Sequence, residues 1–123
     1  MNRVFFLLLL ALVISSLVGT VGAADRPANK LDKGAELYSW EDPAGVWFFA
    51  LLPGTDRYKS DAEIKEKENQ IKGVDALEKR FMGLAEGEWV TWVGRQGFPL
   101  PDKRTVEKVA AAARKAKVDL HIP

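Results

Sequence analysis

Two β-forming runs separated by one tight turn dominate the first half of the chain: residues 36–40 and 46–52 flank Asp42-Pro43-Ala44-Gly45. Asp at the first, Pro at the second and Gly at the fourth position of a type I turn each suit the backbone angle or hydrogen bond required there. The segment therefore reads as an antiparallel hairpin, and the unbroken apolar run 46–52 has the length of a strand covered on both faces. Trp40 and Trp47 flank the turn and can lie close across the two strands, where such aromatic pairs contribute roughly 0.2–1 kcal/mol. Burying one ring contributes on the order of 3 kcal/mol, against a net stability of about 5–15 kcal/mol for a domain. Core duty is thus sufficient reason for Trp40, Trp47, Trp89 and Trp92. The alternative is an exposed stacking surface for a sugar, a base or a protein.

Downstream, Pro53-Gly54 ends the second run. Ser60-Asp61-Ala62-Glu63 then has the form of a capping box, so a helix is expected from about Asp61, breaking near Gly73. Val74, Leu77, Phe81 and Leu84 recur at three and four residues and predict a second helix, ending between Gly83 and Gly87. Residues 88–93 (EWVTWV) are β-formers and read as an inner strand. Asp102 can cap a third helix in which Val106, Val109, Ala110 and Ala113 face the sheet, and four consecutive alanines favour it. Val118, Leu120 and Ile122 alternate with Asp119 and His121 in a last strand. A strand, helix and strand over about 35 residues call for a right-handed parallel crossover. The expected fold is α+β: a small mixed four-stranded sheet in the order β-β-α-α-β-α-β, with an N-terminal hairpin and a C-terminal βαβ unit.

The N-terminus reads as a secretory signal peptide over residues 1–24. Arg3 supplies the positive start, residues 4–18 are a nearly unbroken apolar run, and small residues at Val21, Gly22, Ala23 and Ala24 suit a cut before Ala24 or Asp25. An uncleaved anchor is the alternative, since the stretch from Val4 to Ala24 carries no charge and is also long enough to span about 30 Å of hydrocarbon. Residues 25–34 (DRPANKLDKG) read as a flexible linker, and 35–123 as one domain. With no cysteine, no disulfide staples this domain and no lipidated Cys follows the signal. Of the 18 basic residues only Arg3 lies in the signal, which leaves 17 against 17 acidic residues. A formally neutral domain argues against nucleic acid or an anionic membrane as partner.

Candidate chemistry is sparse. The loop 53–60 (PGTDRYKS) places Gly54, Thr55, Arg57 and Lys59 just ahead of a helix start, where an anion is favoured. A carboxylate or phosphate held by Arg57 and Thr55 is the sharpest expectation here, against a merely solvated turn. With Trp40 and Trp47, these residues make up the expected ligand site. His121, the single histidine, has Asp119 as its same-face neighbour. It lacks the further ligands of a zinc site, and as a general base it needs a nucleophile. The acidic residues Asp61, Glu63, Glu66, Glu68 and Glu78 alternate with lysines and read as solvated helix faces. No metal, cofactor or catalytic residue is expected.

The succession ELYSW, WFFALLPGT-D-R, a helix, EGEWVTWV, and a last helix running into VDLHI resembles a group of small exported bacterial proteins to which no function is assigned. The likeness covers nearly all of the region after residue 24. It implies a bacterial exported domain of the fold just outlined and brings no catalytic residues. In that group the last helix often turns into its strand through Gly, where Lys117 stands here. Together these readings predict a periplasmic or secreted binding module for a protein or cell-envelope ligand. A small hydrolase or transferase using His121 or a carboxylate, and a structural envelope protein, are the alternatives.

Overall fold

Strands β1 (Ala35–Glu41) and β2 (Trp47–Pro53) form the expected hairpin in a computed structural model that describes residues 30–123. The expected signal peptide and residues 25–29 of the linker lie outside the described residues. The Asp42 carboxylate accepts from the N–H groups of Ala44 (3.0 Å) and Val46 (2.8 Å), and Gly45 closes the loop at φ 87°. This is a three-residue connection in which a type I turn is followed by a left-handed glycine. In the resulting register Trp40 faces Phe48, and Trp47 faces Glu41. Because side chains alternate along a strand, Trp40 and Trp47 point to opposite faces, and the expected pairing of the two does not form.

After β2 come α1 (Asp61–Ile64), a short 3-10 turn (Lys67–Asn69), β3 (Ile71–Lys72), α2 (Val74–Met82), β4 (Trp89–Trp92), α3 (Lys103–Lys115) and β5 (Asp119–His121). The sheet is mixed and has five strands rather than four, in the order β3-β2-β1-β4-β5. Strands β1, β4 and β5 pair parallel, whereas β2 pairs antiparallel with both of its neighbours, β1 and β3.

The extra strand arises because the first helix stops after one turn. Ser60 caps it as expected, its Oγ accepting from the Glu63 N–H at 3.1 Å. The next six residues, 65–70, offer no apolar side chain to hold further turns against the sheet. Asn69 and Gln70 donate instead to the carbonyls of Glu63 and Lys65, at 3.1 and 2.9 Å, and so satisfy the early helix end. Ile71 is then buried at the edge of β2.

Helices α2 and α3 cover one sheet face, where Leu77, Phe81, Val109 and Ala113 meet Leu37, Phe49, Val90 and Trp92. Ala112, not Ala110, completes the buried stripe of α3. On the opposite face, Ile64 of α1 and Phe98 of the loop after β4 cover Tyr38, Trp40, Ala50 and Leu52, with Phe48 and Val93 packed alongside. The second face of β4 and β5 is left open: Trp89, Thr91, Asp119 and His121 are all exposed. Parallel strands are usually covered on both faces.

The last helix turns into β5 without a glycine. Lys117 takes the left-handed conformation itself, at φ 60°. Its N–H donates to Arg114 O and that of Val118 to Ala113 O, both at 3.0 Å. This is the Schellman pattern, and both Val118 and Ala113 are buried in the core beside it.

Candidate functional site

The loop 53–60 is held by its own side chains. Gly54 donates its N–H to Gly34 O at 2.8 Å, and a Cβ there would stand 2.3 Å from Lys33 O. Thr55 Oγ1 donates to Arg57 O at 3.2 Å. The Arg57 guanidinium grips the Glu63 carboxylate through two bonds, of 3.0 and 2.6 Å. Hydrogen bonding to Glu63 raises the Arg57 pKa, and the reciprocal bond lowers that of Glu63. Lys59 is buried and donates to Glu36 Oε1 at 3.0 Å. Glu36 also accepts from the Tyr38 hydroxyl. Burial first, then the Glu36 hydrogen bond, push the Tyr38 phenol far above its ordinary range.

Arg95 locks this arrangement from the loop that follows β4. Its Nη2 donates to Lys59 O (2.9 Å) and Asp61 Oδ1 (3.0 Å), while its guanidinium lies 4.5 Å from the Tyr58 ring centroid. The two expected aromatic members of the site also separate. Trp40 is buried between Phe48 and Phe98, and Trp47 packs half-buried on the helix-covered face. The six residues expected to share a ligand therefore divide between a self-paired loop and two faces of the core.

The open half of the second face brings other residues together. Trp89 and Asp119 are neighbours in register, as are Thr91 and His121, and Glu36 lies beside Thr91. The Trp89 indole is fixed on two sides. Its Nε1 donates to Thr91 Oγ1 at 3.2 Å, and its ring stacks on His121 with centroids 4.6 Å apart. His121 Nε2 lies 3.2 Å from Asp119 Oδ2. Among the described residues His121 makes no hydrogen bond to a hydroxyl; Thr91, its neighbour in register, accepts from the Trp89 indole instead. Among the described residues no group of three or more acidic or histidine side chains is placed to hold a metal ion. None of their helices is long and apolar enough to cross a membrane.

Beside this strip lies a cavity of about 660 Å³, walled by the segment 30–34 on one side and by Gly87, Glu88, Trp89, Thr91 and Asp119 on the other. Segment 30–34, expected as the end of a linker, carries fixed contacts: the Leu31 N–H donates to Glu88 Oε1 at 2.9 Å, and Lys33 pairs with Asp56 at 3.3 Å. Gly34 is required where β1 begins. At φ 69° a side chain is disfavoured, and its Cβ would stand 2.6 Å from Trp89 O. Glu88 is 2% exposed.

Reasoning from sequence missed Trp89, Thr91, Asp119 and Glu88 as a group. The signal was present in the alternation of EWVTWV, which puts Trp89 and Thr91 on one face, and in the matching polar positions Asp119 and His121. Comparison with protein-family models, curated proteins and solved structures finds no match for the chain.

Proposed function

We propose that the protein is a small exported binding module that engages a cell-envelope ligand at the open face of β4 and β5. It resembles the small exported bacterial proteins whose pattern the chain carries, and its first 24 residues act as a signal peptide. The observation that carries the reading is Trp89: a large aromatic ring 57% exposed, yet held in place by Thr91 and His121 at the rim of a cavity. An apolar ring left in water costs stability. A ring already fixed loses little further freedom when a ligand covers it, which favours binding. Concave sites of this size, with an aromatic wall and a few convergent polar groups, suit small ligands.

The loop 53–60 serves this reading as the brace of the sheet rather than as the ligand site, since Arg57 and Lys59 already hold carboxylates.

Thermal melting across a panel of anions, nucleotides, sugars and envelope fragments tests the reading, because a ligand of the native state raises Tm with concentration. A saturable rise with one class, abolished by Trp89→Ala and retained in Arg57→Ala, is expected. A flat panel would refute it, as would a rise indifferent to Trp89. Mass spectrometry of the protein recovered from expressing cells tests export: a chain beginning at Ala24 or Asp25 is expected.

A further inference from the structure

Building on that reading, we infer that the cavity beside Trp89 takes a neutral, polyhydroxylated ring, that is, one glycosyl residue of a glycan. The free side of the Trp89 indole is a flat apolar wall suited to the C–H face of a pyranose, while the hydroxyls at the rim of such a ring need acceptors around it. The cavity provides them. Asp119 engages His121 through Oδ2 and keeps Oδ1 as an acceptor, Thr91 adds a hydroxyl, and the Lys30 ammonium adds a donor for a ring hydroxyl.

The independent observation is Glu88. The residue is almost wholly buried at the wall of the cavity, and one carboxylate oxygen accepts from the N–H of Leu31, which lines the same cavity. The other oxygen has no hydrogen-bond partner among the described residues. A buried acceptor without a donor is costly, and a sugar hydroxyl entering the cavity supplies one.

Charge selects against the other ring-bearing ligands. Asp32, Glu88 and Asp119 oppose Lys30 and Lys33, and Lys33 is already paired with Asp56. A phosphate-bearing nucleotide would meet more negative than positive charge here, whereas a neutral sugar meets acceptors for its hydroxyls.

The test follows the four tryptophan indole N–H resonances of the ¹⁵N-labelled protein, purified from cells expressing the full chain. Cellotetraose, chitotetraose and maltotetraose are titrated in turn. A saturable shift of the Trp89 resonance with at least one of them is expected, with a Kd on the order of millimolar, while those of Trp40 and Trp92 stay in place. Trp89→Ala should abolish binding, and Glu88→Gln should weaken it about tenfold with the remaining indole resonances unmoved. Absence of any shift, or binding indifferent to both substitutions, overturns the glycan. A Trp89-dependent response to nucleotides or anions alone also overturns it, but leaves the binding module standing. A response to no class overturns both.

Discussion

The indole N–H of Trp92 donates to Ser39 Oγ at 3.0 Å, deep in the protein, and the Ser39 hydroxyl in turn donates to Pro99 O at 2.7 Å. One buried hydroxyl thus ties β4, β1 and the loop that covers the second face. Ser39→Ala strands both the Trp92 donor and the Pro99 carbonyl, and an unmet buried group costs about 1–3 kcal/mol. Urea unfolding of the variant should show a loss in that range with an unchanged m-value. A loss under ~0.5 kcal/mol would mean that water replaces the hydroxyl.

Lys59 and Glu36 form the most enclosed ion pair among the described residues, with the lysine side chain 3% and the glutamate 25% exposed. Removing one partner of a buried pair leaves the other charge uncompensated, whereas replacing both by neutral groups is much milder. Lys59→Met should destabilise by about 2–3 kcal/mol, reduced from the fully buried case by the partial exposure of Glu36. Adding Glu36→Gln, which keeps an acceptor for Tyr38, should recover most of that loss in denaturant melts. Additive single effects would contradict the coupling.

How much of this was legible in the sequence follows from how local each signal is. The Asp42 turn and the Ser60 and Asp102 caps depend on residues within a few positions of one another and appear where expected, whereas the stripe of α3 holds at Val109 and Ala113 but takes Ala112 in place of Ala110. Strand β3 did not, because two residues at an edge carry no periodicity; Ile71 becomes strand only through its place beside Phe49. The faces of Trp40 and Trp47 depend on register, which the left-handed Gly45 shifts by one residue against a simple mirror across the turn. The Trp89 site draws on β4, β5 and the segment 30–34, brought together only by the sheet order, and no linear pattern spans them.

The Tyr38 phenol, raised by burial and by Glu36, gives the fold an alkaline limit. Below the ordinary phenol value of about 10, Tyr38 is neutral in folded and unfolded chains alike and its contribution is complete. Above it the unfolded chain ionises while the fold holds the proton, so stability falls as pH rises toward the folded value. At the acid end Glu63, lowered by its Arg57 hydrogen bond, and Asp102, lowered by Thr105, work in the opposite sense. Their contribution is present above the ordinary carboxylate range and is lost as pH falls through the folded values. Melting temperature against pH should therefore decline at both ends, and Tyr38→Phe should flatten the alkaline limb alone. An alkaline limb unchanged by Tyr38→Phe would assign it to another group.

Gly34 and Gly54 meet where the start of β1 passes the end of β2, and each has a backbone carbonyl in the place of its missing Cβ. Backbone cannot yield as a flexible side chain does, so Gly34→Ala, which also carries the φ penalty, should cost about 2–4 kcal/mol. Because Gly34 lies against Trp89, the same substitution should move the Trp89 indole resonance while leaving that of Trp40 in place. A variant as stable as the parent would show that segment 30–34 can detach from β4.

Lys117 occupies the left-handed position that ends α3, a conformation costing a side-chain-bearing residue about 1 kcal/mol that glycine does not incur. Glycine also has more freedom to lose from the unfolded chain, which offsets part of the gain. Lys117→Gly should therefore stabilise by a net of about 0.5 kcal/mol, and Lys117→Val, branched at Cβ, should destabilise by more than 1 kcal/mol. The hydrogen bonds of the turn, including the 2.7 Å bond from the Gly87 N–H to Lys117 O, are backbone bonds and survive both changes. The difference between the variants thus reports the conformation at 117 alone. Equal stabilities of the glycine and valine variants in chemical denaturation would show that the helix leaves through a different turn.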